Sequence, residues 1–281
     1  MRPLVMGVLN VTPDSFSDGG RYLDPEAAVA HGLAMAAEGA DVVDVGGESS
    51  RPGATPVAEG EELRRVVPVV RGLAPHVRVS VDTVKPAVAV AAVAAGATLL
   101  NDISGGLWSV AAELGVGWVA MHMRGTPPTM QDDPRYDDVV AEVHAVLRRR
   151  AARARRAGVG EVWVDPGIGF GKTDAHNLAL LRHLPELVAG GDPVVVGTSR
   201  KGFLGRLAPG PDGAPAPVAG RLPGSLATAT WALAAGAGMV RVHDVAPAVE
   251  AATLVGTVRP PGPSGDAMLA GRGAAAVGRR R

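Results

Sequence analysis

A chain of 281 residues, 47% of them hydrophobic, can bury one large core, and its length is close to the ~250 residues typical of an eight-fold β/α barrel. Lysine plus arginine and aspartate plus glutamate both total 28, so the formal net charge is zero and no overall field gathers nucleic acid or an anionic membrane surface. Cysteine is absent, which excludes disulfides, thiol nucleophiles and thiolate metal sites and suits a reducing, cytoplasmic compartment.

The chain opens on an apolar run, 3–11, that passes into Thr12-Pro13-Asp14 without a small-residue cleavage site, and no later apolar run is long enough to span a bilayer. That first run reads as a strand. Asn10-Val11-Thr12 matches a glycosylation acceptor, but that chemistry needs secretion, for which nothing here argues. Val/Ile/Leu/Met-rich runs consistent with buried strands fall at 4–9, 41–45, 77–81, 98–100, 117–121, 161–164, 193–196 and 239–242. Ala-rich amphipathic stretches lie between or after them, at 25–38, 60–73, 85–95, 137–157, 175–189, 224–235 and 246–258. Strand and helix in alternation argue for a parallel sheet. Eight strands, with no G-x-G-x-x-G turn after Leu9, favour a single closed (β/α)8 barrel over an open doubly wound sheet.

The barrel is expected to occupy 1–258, followed by a Pro/Gly/Arg-rich tail at 259–281. The tail and a second Pro/Gly-rich segment, 208–222, read as mobile and outside the core. The Arg-rich run 148–156 reads as the solvent face of a long helix.

Polar clusters follow almost every strand, and a barrel gathers all of them at one mouth. Lysine occurs only at 85, 172 and 201, asparagine only at 10, 101 and 177, and phenylalanine only at 16, 170 and 203. Most of these scarce residues fall in the same post-strand segments, as if chemistry had kept them there. Asp82, Asn101 and Asp165 each stand at the end of a strand. Two carboxylates and an amide can read a flat nitrogen heterocycle that displays N–H and NH2 donors. Any one alone would equally suit a helix N-cap; three on one face favour binding. Arg241 and His243, two apart on the last strand, point the same way and with Arg51 suit a diphosphate. Gly197 to Phe203 offers backbone N–H groups to an anion and places Lys201 on the same face.

The run Asp165 to Thr173 imitates the end of a nucleotide-binding P-loop, but Pro166 stands where its first glycine is required. H-E-x-x-H, paired cysteines and G-x-S-x-G are likewise missing, which leaves zinc-protease and serine-hydrolase chemistry without its parts.

Taken together, the segments 6–20, 44–53, 80–83, 101–106, 121–123, 165–170, 199–201 and 241–244 resemble dihydropteroate synthase, the folate-pathway transferase that sulfonamides inhibit. The resemblance implies a (β/α)8 barrel that joins 6-hydroxymethyl-7,8-dihydropterin diphosphate to p-aminobenzoate, giving 7,8-dihydropteroate and diphosphate with Mg2+ assisting. It assigns the pterin to Asp82, Asn101, Asp165, Phe170 and Lys201. It assigns the diphosphate to Asn10, Arg51, Arg241 and His243, with Asn10 also the metal ligand. The aminobenzoate pocket falls to Phe16, Ser50, Pro52, Ser199 and Arg200; Ser50 stands where many members have threonine. Of these, Lys201, Asp82, Arg241 and His243 are expected to carry catalysis, in an SN1-like substitution that needs no protein nucleophile. Small molecules are the expected partners, with a homodimer in solution. The alternatives are a corrinoid-dependent pterin methyltransferase, which should lack the 12–20 and 49–53 loops, and a silent pterin-binding paralogue, which should have lost a motif residue. Neither departure is seen.

Overall fold

The computed structural model describes residues 2–12 and 24–258. Eight parallel strands run in the order β6-β5-β4-β3-β2-β1-β8-β7: β1 (Leu4–Asn10), β2 (Val42–Gly46), β3 (Arg78–Asp82), β4 (Leu99–Asp102), β5 (Gly117–Met121), β6 (Val162–Asp165), β7 (Val195–Val196) and β8 (Met239–Val242). A parallel bridge between Val164 and Val194, with the Val164 N–H donating to Pro193 O at 2.9 Å, joins the last two edges and closes the barrel. The eight strands are those expected, each within a residue or two at its ends.

Strand alternation divides the apolar residues between two cores. Met6, Val42, Leu99, Val119, Trp163, Val195 and Met239 fill the barrel interior. The residues between them on the strands, such as Val43, Val45, Val81 and Leu100, face outward into a larger core beneath the helices. Below the interior layer Arg78 pairs with Glu161 at 2.6 Å, and the Trp163 indole donates to Glu161 at 2.7 Å. The amino-terminal end of the barrel is thereby plugged, and the opposite end is left for chemistry.

The helices are α1 (Pro25–Ala37), α2 (Glu59–Leu73), α3 (Pro86–Ala94), α4 (Trp108–Leu114), α5 (Val139–Arg156), α6 (Asp174–Arg182), α7 (Leu184–Ala189), α8 (Gly202–Leu207), α9 (Leu222–Ala234) and α10 (Val245–Val258). Side-chain caps start several of them: Asp24 accepts from Glu26 N, Asp138 from Val140 N and Ala141 N, and Thr173 and His176 form a reciprocal capping box. The single helix expected over 175–189 is broken at His183, because Pro185 in the first turn of α7 has no N–H to continue the ladder. The short helices α4 and α8 carry too few residues to show a periodicity in the sequence.

Two expectations need correction. The segment 208–222 lies outside the core, as read, but it is folded against α8: Ala216 N donates to Gly205 O at 3.0 Å, and a 3-10 helix spans Val218–Arg221. The arginine run is not all solvent-facing, since half-buried Arg150 donates to Met121 O and, at 3.0 Å, to Ser104 O, tying α5 to the ends of two strands. Phe16 and the 259–281 tail lie outside the described residues.

Leu99 is fully buried in the narrow interior layer, where neighbours cannot collapse into a vacated space. Leu99→Ala should therefore cost about 2–5 kcal/mol, read as a fall in the urea midpoint without a change in slope.

Candidate active site

Interior-facing side chains at the carboxyl ends of β2, β3, β4 and β8 meet in one ion network. Arg241 Nε lies 2.7 Å from Asp44 Oδ2, and its Nη2 lies 2.8 Å from Asp82 Oδ2. Asn101 Nδ2 donates to the same Asp44 oxygen at 2.8 Å. Asp44 is fully buried and its other oxygen, Oδ1, has no hydrogen-bond partner. Two carboxylates thus share one guanidinium, which itself opens onto the cavity described below. Burial raises the Asp82 pKa to about 7, against the pull of Arg241 and with help from the Asp44 charge. For Arg241 burial works against the cation, and Asp44 and Asp82 more than offset it.

Across the barrel, Asp165 ends β6. Burial raises its pKa, while Lys201 and the Gly167 N–H, which donates to Oδ1 at 2.7 Å, oppose the shift. Lys201 donates to Ile168 O and stands 4.7 Å from the centroid of the Phe170 ring. Burial brings its pKa down to about 8. The phosphate-loop lookalike has a different use for its lysine: Lys172 turns inward and donates to the carbonyls of Gly167 at 2.9 Å and Phe170 at 3.0 Å, with His122 Nδ1 at 3.0 Å. Gln131 Nε2 donates to Gly169 O, and Gly169 N donates to Asn177 Oδ1, both at 2.7 Å. Gly167 has φ +65°, and a Cβ there would sit 1.9 Å from His122 O. The loop holding Phe170 is therefore fixed from inside and outside.

Above these groups opens a cavity of about 730 Å³. Its wall includes Asn10, Ser50, Arg51, Pro52, Phe170, Ser199, Arg200, Lys201, Arg241 and His243. Every expected site residue that the structure describes is thus at this mouth, with Asp82, Asn101 and Asp165 on the strand ends rather than on the cavity wall. Ser199 Oγ accepts from His243 N at 3.1 Å and meets its Nδ1 at 3.0 Å. Burial lowers the His243 pKa to about 4, and Arg241 and Arg200 push the same way. Arg200 adopts φ 57° and is held there by Asp244 through Nε at 3.0 Å and Nη2 at 2.5 Å, and by Ser225 Oγ on its N–H at 2.8 Å.

Asp44 was legible in principle, as a carboxylate inside an apolar strand at an interior-facing position, yet it was not among the expected site residues. Gln131, Met130, Val218 and Arg221 also line the cavity and carried no signal, because they come from loops whose course only the fold sets. Among the described residues no group of three or more His, Cys, Asp or Glu side chains is arranged to cage a metal ion.

Residues 6–243 match the family described as pterin binding enzyme. The chain is 52% identical to the dihydropteroate synthase of Mycobacterium leprae over 268 residues, which covers 92% of this chain and 94% of that one. Among solved structures it superimposes with TM-score 0.84 on Yersinia pestis dihydropteroate synthase with a sulfonamide drug complex, at 45% identity over 91% of this chain and 94% of that one. With Xanthomonas albilineans dihydropteroate synthase bearing 4-aminobenzoic acid the TM-score is 0.83, at 49% identity over 92% and 93%.

Gly167→Ala should destabilise the protein by about 1–3 kcal/mol in thermal unfolding, because it combines a left-handed backbone with a clash against a carbonyl. His243 should stay neutral in the free protein until pH falls toward 4. Its folded pKa lies below the ordinary 6.5, so its contribution to stability is complete above 6.5 and is lost as pH falls from there to about 4. An NMR titration assigned with His243→Gln checks this; a midpoint near 6.5 would contradict the burial argument.

Proposed function

The chain belongs to the pterin-binding enzyme family, in which it works as a dihydropteroate synthase, and we propose that the side chains at the barrel mouth divide that synthesis among them as follows. In the reaction the bond between the pterin methylene and the diphosphate oxygen breaks, and the p-aminobenzoate nitrogen forms the new bond to that carbon and gives up a proton. Asp82, Asn101 and Asp165 take the donors on the pterin ring edge, and Lys201 donates to its acceptors beside the Phe170 ring. The neighbouring Lys201 ammonium and Phe170 ring support that placement. Arg51, Arg241 and His243 receive the departing diphosphate, whose growing charge they stabilise in a site partly withdrawn from water. His243 enters this state neutral and donates a hydrogen bond rather than a full charge. Ser50, Pro52, Ser199 and Arg200 orient the aromatic amine toward the methylene, which replaces general-base work with positioning.

The observation that carries this reading is the arrangement of cationic and hydrogen-bonding groups around one cavity, directly above two strand-end carboxylates and an amide. Asn10 fits a magnesium ion that arrives with the diphosphate. Its amide oxygen faces the side-chain-free space over Gly46, next to Asp82, and a single amide ligand suits an ion that keeps its waters and binds substrate phosphates. Magnesium bound there supplies neutralisation of the leaving group's charge. By the same reading, sulfonamides compete for the aromatic-amine half of the cavity. A homodimer would cover exposed apolar side chains such as Trp231 on α9 or Leu254 on α10. No helix among the described residues is long and apolar enough to cross a membrane, and a cytoplasmic setting suits the absence of cysteine.

Purified protein given magnesium, the pterin diphosphate and p-aminobenzoate should form dihydropteroate, with diphosphate release that depends on the amine. Arg51 has an exposed side chain, so Arg51→Ala should leave stability unchanged and lower kcat/KM for the pterin diphosphate by about 10–100-fold, the worth of a charge-assisted hydrogen bond. Binding of 6-hydroxymethylpterin, which lacks the diphosphate, should be unaffected in calorimetry. Equal weakening of both ligands would remove Arg51 from the diphosphate site.

A further inference from the structure

A second group of charged side chains is built under the loop that carries Ser50, Arg51 and Pro52. Lys85, immediately before α3, reaches with its ammonium to both Glu48 and Glu62. Glu62 comes from the first turn of α2; its side chain is 1% exposed and its Oε1 has no hydrogen-bond partner. Glu48 follows β2, and the oxygen that meets Lys85 also accepts from the Val57 N–H at 3.0 Å. One carboxylate oxygen therefore ties the two ends of the 48–57 segment to a single cation. Arg65 Nη1, also from α2, donates to Gly47 O at 2.9 Å. A Cβ at Gly47 would lie 2.8 Å from Val66 and 2.9 Å from Glu62, so glycine there is what lets α2 pass directly beneath the start of the loop.

Lys85 does not line the main cavity. It borders a narrow cleft with Ser50 and Asp82 on the far side of the loop. A residue placed there acts on substrate only through what it holds. We propose that Lys85 is a positioning residue for the aromatic amine: by bridging Glu48 and Glu62 it fixes the 48–57 loop so that Ser50, Arg51 and Pro52 face the cavity. This rests on the assignment of that loop to the amine and diphosphate given above. The bridge also joins the loop after β2 to the segment after β3, three residues beyond Asp82.

The test uses the full chain with Lys85→Met and Lys85→Arg. Lys85→Met strands two carboxylates, one of them buried, and should raise the KM for p-aminobenzoate about tenfold or more. Binding of 6-hydroxymethylpterin should stay within about twofold, since its strand-end ligands are untouched. Hydrogen exchange should speed up across 49–57 and not across 165–173. Lys85→Arg, which keeps the charge and its donors, should restore most of the amine KM. An unchanged amine KM, or hydroxymethylpterin binding weakened as much as the amine, overturns the proposal. If Lys85→Met does not fold, Glu48→Gln must give the same selective loss. If the wild-type chain makes no dihydropteroate, the functional reading fails, and the exchange pattern alone decides whether Lys85 holds the loop.

Discussion

A single guanidinium inside the barrel, on Arg241, sets the terms for the rest of the mouth. It is held between Asp44 and Asp82, which joins β8 to β2 and β3 by charge, and Asp44 in turn accepts from the Asn101 amide, which adds β4 by a hydrogen bond. Breaking such a buried pair from one side typically costs about 3–5 kcal/mol, because the partner left behind is charged and dry. The network also leaves one carboxylate in excess, and burial, opposed by Arg241 and reinforced by the Asp44 charge, raises the Asp82 pKa to about 7. A ligand bringing N–H donors to that carboxylate would relieve the excess, and a bare apolar ligand would not. In the reading proposed above, the donors on the pterin ring edge answer that carboxylate.

Above that network, rigidity comes from two lysines used in opposite ways. Lys172 is buried and spends its donors on backbone carbonyls, which fixes the Phe170 loop from beneath. Lys85 is partly exposed and binds carboxylates from neighbouring elements, which fixes the loop bearing Ser50. Lys201 lines the cavity with its ammonium 4.7 Å from the centroid of the Phe170 ring. With only three lysines in the chain, each has a structural setting that a surface lysine would lack.

The adjacent pair Asn101-Asp102 shows where reading by motif stops. Asn101 points inward to Asp44, whereas Asp102 points outward, accepting from Ser104, Leu107 N and the Trp118 indole, and serves the turn into α4. Strand alternation separates them, and the sequence supports only one of the two as a binding residue once the pleat is known. Asp44 illustrates the converse. It lies in an apolar strand and is easily passed over, yet its partner Arg241 is 197 residues away.

From sequence alone came the barrel, because eight apolar runs alternating with amphipathic stretches have few other ways to bury themselves, and the general location of the site, because a parallel barrel brings every post-strand segment to one end. Residue types in those segments also pointed to a flat heterocycle and an anion, and the resemblance implied a substitution that needs no protein nucleophile. The tertiary structure decided which charges meet, which are dry, and which merely hold a loop. Those outcomes depend on distance and local dielectric, and neither quantity exists until residues far apart in the chain have been packed together.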